Sequence, residues 1–166
     1  SETKPIIVEG RFARGSKKVD LDLTATVTDA ARNEGFVMDC LLGNWDAVFN
    51  LQNLVMDASG HAMRIDTGNS FDFRARNGHK APEDFTDVVR EVEFGIDPNH
   101  LDGGMRQKYP GIDDEQIASQ VRTMKEKLSD EKIDELVDSI RRTKQDREML
   151  KRTMKARRDY LVNKFL

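Results

Sequence analysis

Apolar positions alternate with polar ones early in the chain and recur at helical spacing late in it. Val19, Leu21, Leu23, Ala25 and Val27 are separated by Asp20, Asp22, Thr24 and Thr26. A period of two predicts a half-buried strand over 19–27. A shorter apolar run at 5–8 stops at Gly10, and Arg11, Arg14, Lys17 and Lys18 form a basic loop between the two. Ala31, Phe36, Val37, Cys40 and Leu41 predict a helix over 29–42, in which Gly35 costs up to ~1 kcal/mol relative to alanine. Two apolar runs at 53–56 and 62–65 flank Asp57-Ala58-Ser59-Gly60, residues suited to a turn, and predict a hairpin. Residues 67–109 are irregular, with a short helix expected near 84–92.

From Asp113 the expectation is helix to the end of the chain. Asp113 with Gln116 resembles a capping box, and Ser129 before Asp130-Glu131 marks a second start. Ile117, Val121, Met124 and Leu128 form one stripe; Ile133, Leu136, Val137 and Ile140 form another. A last helix over 146–165 carries Met149, Leu150, Met154, Leu161 and Phe165. Such stripes are packing faces. The resulting fold class is α+β: mainly helical, with a small central β-hairpin and a short N-terminal strand region.

Composition narrows the class further. The chain has 166 residues, 27 Lys plus Arg against 30 Asp plus Glu, and a net charge of −3. That balance argues against wrapping nucleic acid, which calls for a strongly basic domain. No apolar run approaches the ~20 residues needed to span a bilayer. The first residues lack the apolar stretch of a signal peptide. One cysteine, Cys40, excludes an internal disulfide framework and suits a reducing compartment. The expected setting is the cytoplasm, or a host cytoplasm into which the protein is delivered.

Candidate chemistry concentrates in 43–69. Asp46 follows the expected helix end and opens a loop; Asn53 closes that loop and begins a strand; Asp66 ends the partner strand, with Gly68 after it. Antiparallel pairing puts Asn53 and Asp66 at the same end of the ribbon. A carboxylate that orients a hydroxyl, together with an amide oxygen and a second carboxylate that hold magnesium, is what phosphoryl transfer from ATP requires. Short Asp and Asn side chains supply hard oxygen ligands close to the backbone.

The motifs Asn44-Trp45-Asp46, Asn53-Leu54-Val55, Arg64-Ile65-Asp66-Thr67-Gly68 and Phe73-Arg74-Ala75-Arg76 resemble the C-terminal lobe of the kinase-like fold. The likeness is to its divergent HipA-type and phosphatidylinositol-kinase-like group in bacteria and phages. It covers residues 34–166 and is strongest in 43–76. It implies that Asp46 is the catalytic-loop aspartate, Asn53 a magnesium ligand, and Asp66 the aspartate at the Asp-Phe-Gly-equivalent position, with ATP and Mg2+ as cofactors and a protein or other hydroxyl acceptor. The spacing from Asp46 to Asn53 exceeds that of the usual protein-kinase catalytic loop, which makes Asn50 an alternative ligand. Residues 1–33 contain neither a G-x-G-x-x-G loop nor a Val-Ala-Ile-Lys-like strand. A nucleotide-binding lobe is therefore expected to be minimal or to come from a separate N-lobe or partner protein.

Other residues read more simply. Trp45 is expected to anchor the core under the loop, Cys40 to be buried and inert, and His61 to be solvated. His79 and Lys80 fit an exposed basic loop, with phosphate or substrate contact as the other reading. The stretch 141–158 is dense in Lys and Arg, with only Asp146 and Glu148 opposing them. It supports an alternative function: a nonenzymatic kinase-like scaffold or inhibitor that binds a protein or acidic partner through this helix.

Overall fold

A computed structural model describes residues 21–22, 25–49, 51–65, 67–74, 78–93 and 108–166. The fold is mixed α+β and mainly helical. The expected run at 5–8 and the basic loop lie outside the described residues, as do 19–20 and 23–24 of the expected first strand. Of the described part of that strand, Leu21–Asp22 form β1, which pairs antiparallel with β2 (Leu54–Asp57), whereas 25–27, expected to continue it, are not strand.

The hairpin forms as its turn chemistry directs. β2 pairs with β3 (Ala62–Arg64) in the register Leu54↔Arg64, Val55↔Met63 and Met56↔Ala62. The Asp57 carboxylate accepts the Ser59 and His61 amides, and Gly60 takes φ +87°, a left-handed backbone that glycine adopts without a Cβ clash. A second small ribbon joins β4 (Phe73–Arg74) to β5 (Gly78–His79).

The single helix expected over 29–42 is two: α1 (Asp29–Asn33), capped by Thr28, and α2 (Phe36–Leu42). The break has a tertiary cause. Arg64 of β3 crosses Gly35 and donates to the Arg32 carbonyl at 2.8 Å, a group that an unbroken helix would have used internally. A Cβ at Gly35 would lie 2.1 Å from the Arg64 Cζ. Gly35→Ala is therefore expected to destabilise the protein by about 1–3 kcal/mol, the cost of overpacking, although alanine is the better helix former. Urea denaturation checks this, and a stabilised variant would show that Arg64 does not hold the break open.

α2 is the central helix. Phe36, Val37, Cys40 and Leu41 are all buried, packed by α5 (Asp114–Lys127) and α7 (Lys144–Phe165). α6 (Asp130–Asp138) closes the bundle through Ile133 and Val137. The capping box at Asp113/Gln116 is present, and Ser129 caps α6. α7 starts two residues earlier than expected, because the Thr143 hydroxyl accepts the Asp146 amide. The helix expected near 84–92 is instead a 3-10 turn at Pro82–Asp84 and a short α4 (Arg90–Glu93). Val89 before α4 and Val92 within it enter the core.

Candidate functional site

Asp46 stands in a helix rather than opening a loop. Gly43 ends α2 at φ +58°, and after Asn44 the chain enters a short helix, α3 (Trp45–Phe49), with Asp46 in its first turn. The Asn44 side chain is buried; its Nδ2 donates to Asp39 at 3.1 Å, and its Oδ1 faces the Ala47 amide. This local bonding sets the start of α3 and so the direction of Asp46.

The Asp46 carboxylate accepts two donors from Asn69: the backbone amide at 2.8 Å and the side-chain Nδ2. Asn69 Oδ1 is buried and, among the described residues, has no hydrogen-bond partner. Asn53 is half-buried at the end of a 3-10 turn (Leu51–Asn53), and β2 begins one residue later. Its carbonyl accepts the Ile65 amide at 3.0 Å, which extends the hairpin by one rung. Asn50 and Asp66 lie outside the described residues. Their neighbours do not: Ile65 is tied to Asn53 and Asn69 to Asp46, one on either side of position 66. Hard oxygen donors of this kind suit magnesium rather than a softer ion. Among the described residues no three His, Cys, Asp or Glu side chains gather into a ready metal cage.

Beneath this surface lies a buried ionic centre that sequence reading passed over. Asp39 on α2 is buried and accepts Arg64 through Nε at 3.0 Å and Nη2 at 2.7 Å. It also accepts the Tyr109 hydroxyl at 2.5 Å. Burial pushes the Tyr109 hydroxyl far above its ordinary value, and the neighbouring Asp39 charge adds to the effect. Burial opposes the Arg64 charge, yet the bonds to Asp39 outweigh it and the guanidinium pKa rises. Arg64 thus links the hairpin to α2. Within the Arg-Ile-Asp motif it holds the strand end against α2.

Lys80 corrects the expectation of an exposed basic loop. It is buried, and its Nζ donates to the Gly43 carbonyl at 2.6 Å, the Asn69 carbonyl at 2.7 Å and the Phe71 carbonyl at 2.6 Å. The half-buried Trp45 ring lies under it at 4.6 Å. His79, by contrast, is exposed and faces Asp72. Cys40 is fully buried; burial, then the Glu91 and Asp39 charges, push its thiol well up, away from nucleophilic chemistry. His61 is exposed, its ring paired with Glu34.

The basic helix is also corrected in part. Arg157 is wholly buried, so it is no surface group. Elsewhere on α7, the bases meet the acids of α6 in antiparallel order: Arg158 with Asp130, Lys155 with Asp134, and Lys151 and Arg147 with Asp138. Acids spaced four apart occupy one face of α6, and the complementary face of α7 lies over it. Much of the positive charge of this helix is therefore met by α6. Arg141, Lys144 and Arg152 remain exposed.

Comparison with protein-family models, with curated proteins and with solved structures matched nothing to this chain. Among the described residues, no helix is long and apolar enough to cross a membrane.

Proposed function

We propose that the chain is the phosphotransfer lobe of a magnesium- and ATP-dependent kinase-like enzyme, acting on a protein or other hydroxyl acceptor. The observation that carries this reading is the pair of ties that bracket position 66: Ile65 to Asn53, and Asn69 to Asp46. These ties join the Asn53 and Asp46 segments to residues that flank Asp66 in the chain. The motif likeness supplies the roles and the ties support them.

In this scheme Asp46 orients the acceptor hydroxyl and takes its proton as the hydroxyl oxygen bonds to the γ-phosphorus. The bond from that phosphorus to the bridging oxygen breaks, and ADP leaves with the electron pair. Asn53 and Asp66, with Asn50 as the alternative, would hold magnesium, which offsets phosphate charge. A separate N-lobe or partner protein would supply the phosphate-covering loop and its lysine.

The test is thermal. Magnesium-ATP is expected to raise the melting temperature of the chain, alone or with a copurified partner, and saturation at a hundredfold over Kd corresponds to ~2.7 kcal/mol. Asp66→Ala is expected to abolish that shift while melting normally without nucleotide. No magnesium-dependent shift under either condition would remove the reading.

A further inference from the structure

We propose that Lys80 is a positioning residue that fastens the loop bearing Asn69 to the base of the helix bearing Asp46. The inference deepens the phosphotransferase reading, since it takes Asp46 as the working carboxylate. Its geometry stands independently of that reading.

An ammonium group has three N–H bonds, and Lys80 directs all of them at backbone carbonyls. Gly43, one acceptor, is the turn between α2 and α3; Asn69 and Phe71, the others, belong to the loop that reaches Asp46. Without the amine these carbonyls would be left buried and unpaired, each a desolvation cost. Phe71 adds a second reason for a clamp. Its φ is +61°, a left-handed backbone unfavourable for a bulky side chain, so the surrounding bonds must hold it. They are the Phe71 amide to the Leu42 carbonyl at 2.6 Å and the Phe71 carbonyl to Lys80. Gly43 makes room for the arrangement: a Cβ there would lie 3.2 Å from Lys80 Nζ, Glu91 Oε1 and the Phe85 ring.

Among the described residues no carboxylate hydrogen-bonds the amine, and its charged surroundings pull in both directions. Glu91 on α4, Asp72 beside β4 and Asp84 on the 3-10 turn favour the ammonium; burial, the largest influence, and Arg157 on α7 oppose it. The balance lowers the Lys80 pKa to about 8. A lysine released from the clamp regains its ordinary, higher value and binds its proton more tightly than the pinned one. Raising the pH from 8 toward that value therefore favours the pinned state, and loop opening becomes rarer. A lysine that merely filled space would impose no such profile on the Asn69 loop.

Amide hydrogen exchange by NMR on the full chain tests this, with rates divided by intrinsic exchange and the amides of α5 as reference. Between about pH 7 and about pH 9.5, protection of the Asn69 and Phe71 amides in the wild type is expected to rise more than tenfold relative to α5. In Lys80→Met, the same two amides are expected to lose about tenfold protection at neutral pH and to show no alkaline rise. Unchanged protection in the variant, or a flat profile in the wild type, overturns the proposal. If Lys80→Met does not fold, the wild-type profile decides alone. A wild type that binds magnesium-ATP but shows a flat profile loses the clamp and keeps the enzyme; one with the alkaline rise but no nucleotide binding does the reverse.

Discussion

Arg157→Met is expected to cost about 3–5 kcal/mol, the range for breaking a buried charge pair by removing one partner. Set against a total stability of about 5–15 kcal/mol, that loss leaves a protein largely unfolded under mild urea. The side chain is 0% exposed and spends every donor. It donates to the carbonyls of Cys40 at 2.7 Å, Leu41 at 2.9 Å and Thr86 at 2.8 Å, with a longer bond to Val88 at 3.2 Å. Its Nη2 meets Glu91 at 2.9 Å, and the guanidinium lies 4.4 Å from the Phe85 ring centre. Methionine fills much of the volume but leaves the Glu91 charge and the end of α2 without partners. A double variant, Arg157→Met with Glu91→Leu, is expected to recover more than half of the loss, because the stranded charge goes with it. Arg157→Lys is not expected to rescue, since one ammonium has fewer donors and no planar fork to span α2, the 86–88 loop and α4. Urea midpoints of the three variants measure this. A single-variant loss below about 1 kcal/mol would mean that the pair contributes no more than a surface ion pair does.

Asp46→Asn is expected to lower phosphoryl transfer by about 10²–10⁴-fold, the range for removing a positioned general base. The substitution separates chemistry from architecture. An asparagine Oδ1 can still accept the Asn69 amide that Asp46 accepts at 2.8 Å, so the loop keeps its backbone tie. Melting within a few degrees of the wild type is expected, along with retained magnesium-ATP binding, because the metal ligands are other residues. Single-turnover kinetics with saturating nucleotide provides the rate. A folded variant that binds nucleotide and reacts within about threefold of the wild type would assign Asp46 to the loop's architecture alone.

Local features were legible without coordinates. The Asp113/Gln116 capping box, the Ser129 cap and the turn after Asp57 each depend on residues within four positions, and each forms. Stripe residues such as Ile117, Val121, Ile133 and Val137 are buried. The same logic failed where a distant partner intervened. Residues 29–42 have helical spacing, and nothing nearby announces that Arg64 will occupy the space over Gly35. Lys80 follows a histidine in a polar stretch and looks solvated, yet its three acceptors come from residues 9, 11 and 37 positions away. A signal was present in part: Arg64 opens the Arg-Ile-Asp motif, Gly43 directly precedes Asn44-Trp45-Asp46, and both prove structural.

The sequence alone determined where α5 and α6 start and where the ribbon turns, because caps and turns are short-range and set by backbone geometry; its apolar stripes mark most of the packing faces, although Leu136 and Met149 are exposed. It also brought Asn53 and the end of β3 together, since antiparallel pairing leaves no other register for that turn. Only the tertiary structure decided which charges are buried and with whom. Arg157 and the Cys40 carbonyl are 117 residues apart, and Tyr109 and Asp39 are 70 apart. A charged side chain carries no mark of its fate in the chain. Whether it faces water or replaces water with carbonyls and a counter-charge depends on the helices that close around it.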